Sequence, residues 1–139
     1  MATFLVAHGA WSAGWAWKKM RPLMRGAGHE LWTPTYTGLG ERVHLGHPDV
    51  NLDTHIQDIL AVLETEDLTN VILIGHSYGG MVATGVADRA RARIAKLVYL
   101  DAFAPTDGQA IFDLVPPDIA ARMRTGAAAS ETGDRKSVV

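Results

Sequence analysis

Val71-Ile72-Leu73-Ile74-Gly75-His76-Ser77-Tyr78-Gly79-Gly80-Met81-Val82-Ala83 is the stretch that decides how this chain folds. Its first four residues are aliphatic without polar alternation, the mark of a strand covered on both faces. A Gly-x-Ser-x-Gly turn follows, and Met81, Val82, Val86 and Ala90 then recur at helical spacing. In a strand, tight turn and helix of this kind the serine backbone is strained. Gly75 and Gly79 are needed because side chains there would collide with the neighbouring strand or helix. The turn presents the Ser77 hydroxyl above the sheet as a candidate nucleophile, with the N-terminal amides of the helix pointing toward it. A serine hydroxyl needs an adjacent base to react, and no histidine follows His76 in the sequence.

Working outward, Thr3 to Ala7 and Leu97 to Leu100 are two more short aliphatic runs that read as buried parallel strands. Glu30 to Thr35 is a weaker strand, interrupted by Pro34 and therefore expected to end there or lie at an edge. Ile56, Ile59, Leu60 and Leu63 form one apolar helical face, and Thr54 with Gln57 has the spacing of a capping box at its start. Trp15 to Ala27 is expected to be helical, with Pro22 in its first turn or at a kink and Gly26 or Gly28 ending it. Strand alternating with helix implies an α/β architecture of about four mostly parallel strands with flanking helices. Beyond Asp101, Pro105, Gly108, Pro116 and Pro117 punctuate the chain, leaving one short helix around Asp118 to Arg124. Residues 1–125 are thus read as the core and 126–139 as a flexible tail.

Composition narrows the partners. Thirteen Lys and Arg against fifteen Asp and Glu give a formal charge of −2, with no long block of either sign. Neither a nucleic-acid footprint nor an anionic-membrane footprint is present, so the expected partner is a small neutral molecule. The chain has no cysteine, hence no thiol nucleophile, disulfide or thiolate metal site, which fits a cytoplasmic protein. No run approaches the ~20 apolar residues of a membrane span, and the N-terminus lacks a basic leader. His44, His47 and His55 occur without carboxylates in a metal-ligand frame and read as surface or packing residues, so no metal is expected. Gly38-Leu39-Gly40 lacks the third glycine of a dinucleotide loop and opens no helix, so no cofactor is expected either.

Acyl transfer at Ser77 would need N–H donors fixed on the developing oxyanion. The Tyr78 amide, at the start of the helix, is one candidate. His8-Gly9-Ala10-Trp11 follows the first strand, and Gly9 lets the backbone bend close enough to aim the Ala10 amide at the same point. His8 is expected to stabilise this loop, and Trp11 to be the tryptophan best placed to touch an acyl group. His76 adjoins Ser77, but consecutive residues at a sharp turn generally point apart. Asp101 ends a strand where ligand-facing residues collect. It is read first as a loop-stabilising residue and second as a catalytic acid.

Taken together, the His-Gly-Ala-Trp segment, Gly38-Leu39-Gly40-Glu41-Arg42, Leu52-Asp53-Thr54-His55-Ile56-Gln57-Asp58, the Ser77 turn and Leu97-Val98-Tyr99-Leu100-Asp101-Ala102-Phe103 closely resemble the esterase-like branch of the α/β-hydrolase superfamily. That branch also holds plant methyl esterases and hydroxynitrile lyases. The resemblance runs from about Thr3 to Pro117 and implies that Ser77 is the nucleophile and that the Ala10 and Tyr78 amides form the oxyanion hole. Lyases of the group usually place threonine where this chain has Gly9, so the resemblance favours hydrolysis of small carboxylic esters. The family's triad continues with an acid and a histidine after later strands, and neither strand is found here, so the chain resembles a truncated, N-terminal half. Two other outcomes follow: a catalytically inactive binding module, or a half-enzyme completed by another chain. An unpaired apolar edge at Leu97 to Leu100 leads us to expect a homo-oligomer or strand-exchanged assembly.

Overall fold

The structure, a computed structural model, describes residues 1–129. Four strands form one sheet: β1 (Thr3–Ala7), β2 (Glu30–Trp32), β3 (Val71–His76) and β4 (Ile94–Leu100). Their order is β2-β1-β3-β4 and every pairing is parallel, as the unalternating aliphatic runs require. β1 and β3 are central, aligning Thr3 with Val71 and Ala7 with Gly75, so the end of β1 stands beside the Ser77 turn. A register irregularity between Val71 and Ile72 accompanies an early start for β4, which begins at Ile94 rather than Leu97. β2 ends at Trp32, two residues before Pro34, which cannot donate to the ladder.

Helix α1 (Met20–Gly26) is shorter than the periodicity predicts, because Gly14–Trp17 forms a separate 3₁₀ turn. Pro22 lies in the first turn of α1, and Gly28 adopts a left-handed φ of 83° just past its end. The sequence places the start of the next helix at a Thr54/Gln57 box, and the structure corrects this. Helix α2 (Leu52–Thr65) is capped by Asn51, three residues earlier. Asn51 Oδ1 accepts the Thr54 N–H at 3.1 Å while Thr54 Oγ1 accepts the Asn51 N–H at 3.2 Å. Asn51 wins because its short carbonyl reaches the free amides of the first turn. Helix α3 (Gly79–Arg89) follows the Ser77 turn, and a short α4 (Ile111–Leu114) precedes α5. Helix α5 (Pro117–Ala129) outruns the expected Asp118–Arg124 and enters the segment read as a tail, and 130–139 lie outside the described residues.

Helices α2 and α3 cover one sheet face. Leu5, Ala7, Val71 and Leu73 pack there with Ile56, Ile59, Leu63, Met81, Val82 and Val86 in one buried cluster. Burying each of these larger side chains stabilises the fold by about 1.5–3 kcal/mol. The opposite face is thinly covered: α1 buries none of its residues, and Leu23 is 66% exposed. The outer edge of β4 pairs with no strand among the described residues, and Tyr99 and Leu100 are exposed. The predicted open apolar edge is therefore present. No described helix is long and apolar enough to cross a membrane.

Candidate active site

Ser77 follows β3 directly and has a φ of 54°, in the left-handed region that a residue with a Cβ enters at a cost. The surrounding backbone holds it there. The Ser77 N–H donates to the Leu100 carbonyl at 3.4 Å, and the Ser77 carbonyl accepts N–H bonds from Gly80 at 3.0 Å and Phe103 at 3.2 Å. The end of β4 and the loop after it thus pin the turn. A Cβ on Gly75 would lie 2.7 Å from the Gly79 carbonyl oxygen and 2.9 Å from Gly80 Cα, and one on Gly79 would overlap the Ala7 carbonyl. Both glycines are required by space, as the sequence predicts.

The loop after β1 reaches the same point. A Cβ on Gly9 would stand 3.5 Å from Ser77 Cβ and 3.2 Å from His76 Nδ1, so this backbone packs directly on the serine turn. Ala10 follows at the turn, with Trp11 next at a φ of 52°. Among the described residues the Ala10 and Tyr78 amides donate to no backbone carbonyl. The two segments singled out in the sequence therefore converge, and the Ala10 and Tyr78 amides, next in sequence to Gly9 and Ser77, have no backbone acceptor among the described residues.

His8 is fully buried. The Tyr36 N–H donates to its Nε2 at 3.2 Å, leaving Nδ1–H to donate to the Gly9 carbonyl at 2.8 Å, and the Tyr36 hydroxyl donates to the His8 carbonyl at 2.8 Å. Burial lowers its pKa to about 4, and the neighbouring His55 lowers it further while the Gly9 bond opposes the shift. A neutral imidazole with both nitrogens engaged holds the loop and has no lone pair left for a serine proton. His76 meets the edge of Trp17 at a centroid distance of 6.2 Å. No described histidine hydrogen-bonds to Ser77.

Asp101 has a left-handed φ of 44° and an exposed side chain. Among the described residues that side chain bonds neither a histidine nor the backbone, so the structure unites it with neither of its expected roles. Trp11 is 57% exposed and lies at the mouth of the loop rather than in the core. His44 and His47 are exposed, whereas His55 is buried, so the three do not converge on a metal.

Sequence reasoning missed the role of His55. Its Nε2–H donates to the Thr37 carbonyl at 3.1 Å and its Nδ1 accepts the Tyr78 hydroxyl at 2.9 Å. His55 shares an i, i+4, i+8 stripe with Ile59 and Leu63, all fully buried, and that spacing was the available signal. Asp58, from the same helix, accepts the Thr37 N–H at 2.6 Å and the Thr37 hydroxyl at 2.7 Å.

Known proteins resemble this chain in sequence and fold. Residues 4–137 match the model of the alpha/beta hydrolase family. A carbendazim hydrolyzing esterase from a Nocardioides strain is 49% identical over 130 residues, covering 91% of this chain and 54% of that protein. An alpha-hydroxynitrile lyase from Arabidopsis thaliana is 30% identical over 73% of this chain and 40% of its own length. Among solved structures, an extracellular alpha/beta-hydrolase from a Paenibacillus species superposes with a TM-score of 0.87 at 31% identity, over 95% of this chain and 53% of that one. The chain spans about half the length of the relatives it matches. With a serine turn between a central parallel strand and a covering helix, and a family model matched over nearly its whole length, this chain belongs to the alpha/beta hydrolase family.

Proposed function

We propose that this chain carries the nucleophile and oxyanion half of a serine esterase site acting on small carboxylic esters. The observation that supports the reading is the close approach of the Gly9 backbone to Ser77 on its strained turn, with Ala10 and Tyr78 next in sequence to the two approaching residues. Ser77 Oγ attacks the ester carbonyl, and its proton passes to a base. The carbonyl oxygen gains charge and accepts bonds from the two amides, aided by the positive end of α3. Collapse of the tetrahedral species expels the alcohol, and water then releases the acid from the acyl-serine. The 49% identity to an esterase supports this chemistry, and the glycine at position 9 supports ester hydrolysis over cyanohydrin cleavage.

No described histidine hydrogen-bonds Ser77 and both ring nitrogens of His8 are engaged, which supports a half-site whose base is supplied by another chain. The open edge of β4 is where further strands, or a second copy of this chain, would add to the sheet. One observation favours a second reading, a pocket that binds without reacting: Ser77 has no base among the described residues. A fluorophosphonate probe separates the two. The esterase reading expects an adduct on Ser77 that Ser77→Ala abolishes. Saturable ester binding without any adduct would support the non-reacting pocket.

A further inference from the structure

The two amides read as oxyanion donors lie on different loops, 68 positions apart in sequence, yet one buried cluster joins them. The Tyr36 ring lies between two imidazoles, 3.8 Å from His8 and stacked on His55 at 4.6 Å with an interplanar angle of 13°. Tyr78 meets Tyr36 edge-on at 6.0 Å and His55 edge-on at 5.8 Å. Hydrogen bonds fix each member. His8 holds the Gly9 carbonyl just before Ala10, Tyr36 holds both the His8 ring and its carbonyl, and His55 holds the Tyr78 hydroxyl. The far side is anchored by Thr37, whose carbonyl receives His55 and whose N–H and hydroxyl bond Asp58. Arg42 lies 3.6 Å from the same carboxylate.

We propose that His55 is a positioning residue of the active site: through the Tyr78 hydroxyl it fixes the orientation of the Ser77–Tyr78 turn, and through the shared Tyr36 ring it couples that turn to the Ala10 loop. The proposal rests on the reading of the Tyr78 and Ala10 amides as oxyanion donors. Tyr78 supplies the donor amide from its backbone and is held at the far end of its side chain, so losing the hydroxyl bond frees the residue to rotate without touching the reacting atoms. The role requires an acceptor at His55 Nδ1, supplied by the neutral imidazole that donates from Nε2.

The test compares Tyr78→Phe, His55→Gln and His55→Asn with the wild-type protein by amide hydrogen exchange. The reporters are the Gly80 and Phe103 amides, which donate to the Ser77 carbonyl, with Leu73 in the central strand as the reference for global opening. Asparagine places its oxygen near the site of Nδ1 and glutamine places its amide near Nε2, so only the former retains an acceptor for Tyr78. The expected result is exchange at Gly80 and Phe103 accelerated about tenfold in Tyr78→Phe and His55→Gln, and near the wild-type rate in His55→Asn, with Leu73 unchanged in all. Equal rates in Tyr78→Phe and wild type would overturn the proposal, as would acceleration at Leu73 matching that at the reporters. Fluorophosphonate labelling, run in parallel, reports on Ser77 itself, so failure of the serine reading is distinguished from failure of the positioning role.

Discussion

Ser77 is strained for a reason that can be measured. A left-handed φ in a residue with a Cβ costs about 1–2 kcal/mol, and glycine removes most of that cost while losing some of the gain to greater unfolded-state freedom. Ser77→Gly is therefore expected to raise stability by about 0.5–1 kcal/mol in urea titration while abolishing probe labelling, a trade of activity against stability. His8 gives a second prediction. Its folded pKa of about 4 lies below the ordinary 6.5, so between those values the unfolded chain binds more protons. Stability from this group is fully present above pH 6.5 and falls as the pH drops toward 4, by up to about 3 kcal/mol. Urea midpoints at pH 7 and pH 5 in wild type and His8→Asn should differ less in the variant. The strained Ser77 turn and its need for Gly75 and Gly79 were legible in the sequence because the strand, turn and helix that make it are consecutive. The His55 bond to Tyr78 was not, because it spans 23 positions and depends on how α2 packs on α3.

At the scale of elements, the aliphatic runs located β1, β3 and β4, a weaker segment before Pro34 located β2, and the lack of alternation in the three runs pointed to a parallel sheet. Boundaries were harder, as the start of α2 illustrates: two overlapping capping patterns fit within the same seven residues, and only the geometry of Asn51 selects between them. Asn51→Ala is expected to cost about 1 kcal/mol, while Gln57→Ala, on the exposed face, stays within about 0.5 kcal/mol. Chemical denaturation of the two variants checks the assignment. The start of α1 and the split from its preceding 3₁₀ turn escaped the periodicity because α1 buries none of its residues, so no apolar stripe defines it.

The whole molecule is covered unevenly, with α2 and α3 on one face and little over Leu100 on the other. An exposed strand edge with apolar neighbours favours self-association. Sedimentation velocity is expected to detect concentration-dependent assembly that Leu100→Lys weakens, and a monomer across the whole range would contradict the pairing role given to β4. The proposed esterase site needs a base, and no described histidine hydrogen-bonds Ser77. A positioned base contributes about 10²–10⁴-fold to such a reaction. The most direct measurement is therefore turnover of a short acyl nitrophenyl ester by the chain and by Ser77→Ala, each with and without added imidazole to stand in for the base. Slow turnover is expected, raised about tenfold or more by imidazole in the wild-type chain above the Ser77→Ala background. Equal rates in the two proteins, or fast turnover that imidazole leaves unchanged, would contradict it.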